Sequence, residues 1–314
     1  MSADATRLPV VPASSAAPAS AVGRLAVTEA GRYARHPLLL IGVVLTAVLS
    51  AQWRDATGEL DSGLTYVLAP ALFIGVFGIV VMYRLTRSSD RLAEASGSPA
   101  LGMRARTAAL AWAVLVPFSA GLLWFVWAAW RYSTTVTPPN GLPFGGVGGS
   151  WSYAWLFSLG AVSCAGGPII GLDLARWFPR RGIAVVTGVL LVIASMALNV
   201  LMQPGVLEGL RYVRVFWPFT WFGGQFGIEG DENRTVILTG SPEWYVAYLV
   251  SLCALGILVA LYRDRERPRE RLRVGIVVTT IAAVVLGVIT MTSGVQETMV
   301  NPIPSTGAAA SPGE

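Results

Sequence analysis

The residues of this chain that could do chemistry at membrane depth are few, and they lie within long apolar runs. Asp173 is the one acidic residue inside such a run, and Arg176 follows it at the three-residue spacing of a helical ion pair. Charge inside a membrane usually marks a proton or substrate pathway, but a pair about one turn from the membrane surface is favoured as an anchor for its helix. Asn199 and Gln203, near the end of the next run, are uncharged polar candidates for lining a cavity.

Residue types that are missing from the chain exclude several classes of site. All 23 basic residues are Arg, so the chain cannot supply the Lys that a P-loop places on nucleotide phosphates, or the Lys of a Schiff base. The single His excludes a multi-histidine metal cluster, while Cys164 and Cys253 are expected to be buried, reduced thiols. We therefore predict no catalytic residue, no metal site and no cofactor. The basic stretch 263–273 alternates Arg with acidic residues, which predicts a solvated loop that can touch anionic lipid headgroups, and no nucleic-acid partner.

Composition indicates that the chain is embedded in a membrane. Of its 314 residues 54% are hydrophobic and 13% are charged, about half the charged share of a soluble protein. A helix needs roughly 20 mainly apolar residues to cross a bilayer, and seven stretches approach that length: 37–53, 64–83, 107–130, 152–175, 183–202, 244–262 and 274–292. The predicted fold is an all-α polytopic membrane protein with its transmembrane domain at 37–292. The flanking segments 1–23 and 293–314 are predicted to be disordered tails.

The placement of Arg predicts the orientation of these spans. Eighteen of the 23 Arg lie before the first stretch or between the second and third, the fourth and fifth, or the sixth and seventh. Because cytoplasmic loops carry the excess of basic residues, the N-terminus is predicted to be cytoplasmic and, with seven spans, the C-terminus to lie outside.

Residues 24–36 form the first predicted helix, a short polar segment that leads directly into the first apolar stretch. On a helical wheel Glu29, Arg32 and His36 share one side, with Arg35 at its edge, while the other side carries Ala and Val. Such a weakly amphipathic helix can lie along the membrane surface, although an ordinary basic flank before a first span gives the same pattern.

The loop between the fifth and sixth stretches is long, and its first part is dense in aromatic residues, among them Phe216, Trp217, Phe219 and Trp221. Arg and Pro interrupt this part, so it cannot span the membrane. It is predicted either to dip into the outer leaflet as a re-entrant or interfacial helix, or to form an aromatic belt on the outer surface.

Four motifs cover the entry to the first span, the second span, the start of the third span and the end of the fourth. They are TEAGRYARHPLLLIGVVL, LAPALFIGVFGIVVMYRLTR, a Ser-Pro followed by MRARTAALAWAVLVP, and GPIIGLDLARWFP. Together with the long loop before the sixth span, they resemble the ABC-2-type transporter permeases of actinobacterial type. The resemblance covers most of residues 25–292.

This resemblance implies a transmembrane permease subunit of an ABC exporter in the bacterial cytoplasmic membrane. Such a subunit pairs with a second permease subunit, identical or paralogous, and couples to a separate cytoplasmic ATPase. The resemblance places Glu29, Arg32, Arg35 and His36 at the ATPase contact, with the 84–106 loop as a second contact, and lines the path with spans one, two and five. Permeases of this kind usually have six spans, so the seventh departs from the pattern.

Two other functions fit the sequence. One is an ATP-independent secondary transporter or channel, and the other is a non-transporting membrane scaffold or sensor-associated protein. A proton-driven carrier usually needs a relay of buried ionisable groups, which these spans do not supply. The weak polarity of the spans favours a lipophilic or amphiphilic solute.

Overall fold

The fold is almost entirely helical. A computed structural model of the chain describes residues 19–51, 67–95, 102–135, 149–201, 224–226, 235–237, 240–263, 269–293 and 298–300. Ten α-helices, two π-helical turns and three short strands account for most of these ranges.

The helices are, in chain order, α1 (Ala19–Ala34), α2 (Pro37–Ala51), α3 (Val76–Ala95), α4 (Met103–Ala113), α5 (Leu115–Thr135), α6 (Gly149–Phe157), α7 (Ser163–Trp177), α8 (Ile183–Leu201), α9 (Pro242–Tyr262) and α10 (Arg269–Thr292). The π-helical turns Pro70–Gly75 and Ser158–Val162 run directly into α3 and α7. Strands β1 (Gly224–Phe226), β2 (Thr235–Ile237) and β3 (Thr298–Val300) form an antiparallel sheet with β2 in the centre.

Several helical segments have the length and composition to cross a membrane. Five do so as continuous segments: Pro70–Ala95, Met103–Arg131, Tyr153–Trp177, Pro242–Tyr262 and Arg269–Thr292. The bent pair of α1 and α2 makes a sixth when it is counted as one span, and the apolar part of α8 is shorter. The described residues thus confirm a helical chain with five to six helices that could span a membrane, and the count of seven spans stays a prediction.

Helices α1 and α2 meet at a bend of 56°, which follows from the residues at the corner. Pro37 begins α2 at the first helical position, where its missing N–H costs no hydrogen bond. A proline also disfavours helical geometry in the residue before it, here His36. The Nδ1 atom of His36 accepts a hydrogen bond from the Leu38 N–H at 3.2 Å, so the imidazole caps the start of α2.

Helix α7 lies at the centre of the bundle because small residues allow its neighbours to approach its backbone. A Cβ added at Gly167 would overlap the carbonyl oxygen of Gly75, and one added at Gly171 would overlap that of Ile79. In the most apolar window of the segment that ends with α7, 89% of the residues are buried. Helix α3 and its π-helical turn therefore pack on α7 at a distance that a larger side chain would not permit.

The core divides into two clusters. The aromatic cluster is built around Trp124, Trp151, Trp155, Tyr245 and Tyr248. The aliphatic cluster is built around Tyr33, Met82, Leu85, Leu110, Cys164 and Leu172. Within the aromatic cluster, Trp124 Nε1 donates to Ser50 Oγ at 2.8 Å and so ties α5 to the end of α2. Cys164 and Cys253 are both unpaired thiols.

Candidate functional site

Charged side chains gather at one end of the bundle, which we call the arginine-rich end. It consists of α1, the last turns of α3 and α7, the first turn of α4, the end of α9 and the start of α10. Two ion-pair clusters lie there. The first contains Glu29, Arg32 and Ser88, and the second contains Asp90, Arg106 and Arg176.

The first cluster ties α1 to α3. Glu29 is only 3% exposed, and both of its carboxylate oxygens accept hydrogen bonds from Arg32 Nη1 at 2.9 Å. Arg32 Nη2 in turn donates to Ser88 Oγ on α3 at 2.7 Å. Arg32 therefore neutralises the charge of Glu29 within α1. Its hydrogen bond to Ser88 also joins the ion pair to α3.

Tyr33 anchors the last turn of α1. Its side chain is fully buried in the aliphatic cluster, and a Cβ added at Gly78 would lie 2.9 Å from its hydroxyl oxygen. That hydroxyl has no hydrogen-bond partner among the described residues. Burial of the ring, rather than polar pairing, holds Tyr33 against α3.

The orientation of α1 follows from these contacts. Ala26, Glu29 and Tyr33 share one face of the helix and are buried, whereas Val27 is 75% exposed. The side of the wheel that carries Glu29 therefore packs on α3 and α4, while part of the apolar side faces outward.

The second cluster joins α3, α4 and α7 through a single carboxylate. Arg176 Nη1 donates to both oxygens of Asp90, at 2.9 and 2.8 Å, and Arg106 Nη1 lies 3.5 Å from Asp90 Oδ1. The Arg176 side chain is 1% exposed, and those of Asp90 and Arg106 are each 14% exposed. Two largely buried guanidinium groups thus share one acid, and the cluster carries a net positive charge.

This cluster has more donors than acceptors. Within the described part of the chain, Nε and Nη2 of Arg176 and Nε and Nη1 of Arg106 are buried and have no hydrogen-bond partner. An unpaired donor on a buried charged group costs free energy. Asp90 therefore supplies the negative charge that offsets part of the cost of burying both guanidinium groups.

Asp173 and Arg176 do not form the ion pair that their spacing predicts. Arg176 pairs with Asp90, 86 residues away in sequence, whereas Asp173 faces α9, where a Cβ added at Gly256 would lie 3.1 Å from its Oδ2. Among the described residues, the buried Oδ1 of Asp173 has no hydrogen-bond partner. The two residues lie one turn apart on α7 but contact different neighbours.

His36 lies at the corner between α1 and α2, close to Arg84. Partial burial and, to a smaller extent, the positive charge of Arg84 lower the pKa of His36. Only an unprotonated Nδ1 can accept the hydrogen bond from the Leu38 N–H. The neutral imidazole is therefore both the favoured form and the form that caps α2.

An apolar cavity of about 110 Å³ lies between α3, α7 and α8. Its lining includes Leu72, Gly75, Ile79, Gly167, Leu191 and Met196. Two hydroxyl groups also line it, but Ser163 donates to the Ser158 carbonyl oxygen and Ser195 donates to that of Leu191. The cavity thus presents mainly apolar surface.

The other residues predicted from the sequence lie at the end of α1, in α8 or outside the described part of the chain. Arg35 is exposed at the end of α1. Asn199 lies in α8, but its side chain is outside the described part of the chain. Gln203 and the aromatic residues Phe216, Trp217, Phe219 and Trp221 also lie outside the described residues.

Sequence reasoning missed Ser88 and Asp90 as partners of the predicted residues. Both lie beyond the predicted end of the second span at residue 83, in a segment that continues as helix to Ala95. A signal for this extension is present in the sequence, since Met82, Leu85 and Ser89 recur at helical spacing and all three are buried.

Among the described residues, no group of three or more His, Cys, Asp and Glu side chains could hold a metal ion. Comparisons with protein-family models, with curated proteins and with solved structures found no match. Function is therefore inferred from the geometry of the chain and from its motifs.

Proposed function

We propose that this chain is the membrane subunit of an ABC-2-type exporter, driven by ATP that a separate cytoplasmic ATPase hydrolyses. The observation that carries this proposal is helix α1, which packs on α3 and α4 at the arginine-rich end and bends by 56° into α2. In the permeases that the motifs resemble, a surface helix before the first span meets the ATPase. The chain then has seven spans, its arginine-rich end is cytoplasmic, and two permease subunits form the path.

The exposed side chains of α1 are those that an ATPase can reach. Arg35 is exposed, whereas Glu29 is buried and bonded to Arg32. We therefore assign Arg35 to the ATPase contact, and Glu29 and Arg32 to holding α1 in position.

A mechanical connection leads from α1 towards the centre of the bundle. The Arg32–Ser88 hydrogen bond joins α1 to α3, and the Arg176–Asp90 ion pair joins α3 to α7. A displacement of α1 by the ATPase would therefore be transmitted to α3 and then to α7. These contacts make the two clusters the coupling elements of the proposed exporter.

The apolar cavity supports a lipophilic or amphiphilic substrate. It is bounded by α3 and α8, which correspond to the second and fifth predicted spans, and by α7. The described lining offers little to hold a charged or strongly polar solute. The cavity is large enough for one apolar arm of a solute, and we place the path beside it.

The test is purification of the tagged full-length chain from its native membrane. We expect an ATP-hydrolysing subunit to copurify in fixed stoichiometry. Arg35→Glu should weaken that association, because it reverses the exposed charge of α1. Arg271→Glu reverses another exposed Arg at the same end, on α10, and should leave the association unchanged.

The other possible outcomes of this experiment would contradict the proposal or the assignment of α1. Purification without an ATPase would contradict the proposal, and an ion-gradient-driven flux by the chain alone in liposomes would establish an ATP-independent transporter or channel instead. A chain that neither binds an ATPase nor transports would be a scaffold. Equal loss of the ATPase in both variants would exclude α1 as the specific contact.

A further inference from the structure

A second basic surface lies at the arginine-rich end, where α9 ends and α10 begins. We call it the Tyr262 surface, and it consists of Trp177, Tyr262, Arg263, Arg269 and Arg273. The Cζ atom of Arg263 lies 5.3 Å from the centre of the Trp177 ring, and those of Arg269 and Arg273 lie 5.8 and 5.9 Å from the centre of the Tyr262 ring. Arg273 Nε also donates to the Tyr262 hydroxyl oxygen at 2.8 Å.

These contacts hold the guanidinium groups in place without using most of their donors. A cation–π contact attracts the charge to the face of the ring and uses no N–H group. Within the described residues, Arg263 and Arg269 donate no side-chain hydrogen bond. Arg271 adds a fourth positive charge nearby, and the stretch 263–273 holds six Arg against three acidic residues, of which Glu270 is among the described residues. The surface is therefore positioned and charged to receive an anion.

The Tyr262 surface lies at the boundary of the apolar part of the bundle. Helix α9 ends at Tyr262 and the apolar part of α10 begins at Val274, so the arginines between them lie where headgroups meet hydrocarbon. Trp and Tyr favour this level of a membrane. Anionic lipids attract basic residues held there.

An exposed apolar stripe begins one residue after Arg273. It runs along α10 and consists of Val274, Val277, Val278, Ile281, Val284, Val285 and Val288. These residues recur at helical spacing and so lie on one side of the helix. A ligand with a charged head at Arg273 and an apolar tail along this stripe would match both features.

We propose that the Tyr262 surface and this stripe bind one anionic phospholipid, with its phosphate at Arg269 and Arg273 and an acyl chain along α10. A soluble phosphate would engage the arginines but leave the stripe unused. A zwitterionic lipid would cover the stripe but gain less from the excess of positive charge. This binding site is independent of the proposed export function.

Native mass spectrometry of the detergent-purified full-length chain tests the proposal. Phosphatidylglycerol and phosphatidylcholine with identical acyl chains are titrated against the wild type and three variants. Arg269→Gln with Arg273→Gln should weaken phosphatidylglycerol binding by about tenfold or more, because each basic residue near an anionic headgroup contributes roughly a fivefold factor. Tyr262→Leu keeps every charge but removes the ring, and should weaken binding severalfold.

Arg180→Gln with Arg181→Gln is the matched control. It removes two exposed Arg charges from the same end of the bundle without touching Tyr262, and binding should stay within twofold of the wild type. Because all these arginines are exposed, the variants should elute as the wild type does in size-exclusion chromatography, which verifies that they fold.

Four results would overturn the proposal. If phosphatidylcholine bound as tightly as phosphatidylglycerol, the charge of the lipid would play no role. Equal weakening by both double variants would show that the positive charge of the whole end of the bundle, and not the Tyr262 surface, attracts the lipid. Displacement of phosphatidylglycerol by millimolar inorganic phosphate would identify a site for soluble anions. A dimer that binds no lipid and dissociates on Val278→Asn would assign the stripe to a second copy of the chain.

Discussion

Helices α7 and α10 are both apolar enough to cross a membrane, yet they occupy opposite positions in the bundle. In the most apolar window of the segment that ends with α7, 89% of the residues are buried, against 17% for α10. The less buried helix is the more apolar, because the mean hydropathy is 1.5 for the α7 segment and 2.5 for α10. Because lipid tails are as apolar as Leu, burial in a membrane does not select for hydropathy.

The difference between the two helices lies in the size and polarity of their residues. Helix α7 has Gly167 and Gly171 where α3 and its π-helical turn cross it, and it carries Arg176, which pairs with Asp90. Helix α10 packs mainly on α9 and presents its stripe of branched side chains outward. In this protein small residues and a paired charge place a helix at the centre, whereas an uninterrupted apolar stripe places it at the edge.

The largest difference between α7 and α10 is expected when one glycine in each helix is replaced by alanine. Gly167→Ala puts a methyl group onto the backbone of Gly75 and should destabilise the protein by roughly 3 kcal/mol or more, because the two helices must separate. Gly275→Ala on α10 places its Cβ 3.5 Å from Leu258, an ordinary contact, and should be neutral or stabilise by up to about 1 kcal/mol.

The measurement for this pair is the thermal unfolding midpoint in one detergent, with the monodisperse fraction recorded for each variant. Similar shifts for both alanines would show that α7 and α10 do not differ in packing.

A smaller effect is expected from removing one carboxylate near each helix. Asp90→Asn leaves Arg176 and Arg106 without their shared counter-charge and should cost roughly 2–3 kcal/mol, since an unpaired buried charge is strongly destabilising. Glu270→Gln removes an exposed acid at the start of α10 and should stay within about 0.5 kcal/mol of the wild type. Both are measured as unfolding midpoints.

The double variant Asp90→Asn with Arg176→Gln sharpens this second prediction. It removes a buried charge together with its partner and should recover part of the loss. If Asp90→Asn were no more harmful than Glu270→Gln, the second cluster would not stabilise the position of α7.

The smallest effect concerns the corner between α1 and α2. Because burial and Arg84 lower the pKa of His36, the unfolded chain binds this proton more tightly than the folded protein does. The free energy of unfolding should therefore not depend on His36 above the ordinary imidazole pKa of about 6.5. It should decrease as pH falls below that value, until His36 is protonated in the folded protein too.

Unfolding midpoints measured across this pH range check the expectation. His36→Gln removes the titrating group, so its midpoints should decline less steeply than those of the wild type. Identical slopes would assign the pH dependence to other groups.

The helical class could be predicted from the sequence, because it follows from local composition. The bend between α1 and α2 was not predicted, since residues 24–36 were expected to lead directly into the first span, although the proline at position 37 accounts for it. The sequence did not show which face of α1 meets the bundle, since a helical wheel separates faces without indicating their neighbours. Glu29 lies on the face that packs on the bundle and is therefore buried, although its charge alone favours exposure. The partner of Arg176 was unpredictable in the same way, because Asp90 reaches it only when α3 continues beyond the membrane-length run.

The packing of α7 has a consequence for how the chain is made. A segment with the modest hydropathy of α7, which also contains Pro168, Asp173 and Arg176, gains little from lipid alone as it leaves the translocon. Gly167 and Gly171 of α7 meet α3 and its π-helical turn, and Gly121 of α5 meets Cys164; these elements precede α7 in the chain and are synthesised first. Stable insertion of α7 should therefore wait for these earlier helices, whereas α10, which packs mainly on α9, can enter the membrane together with α9.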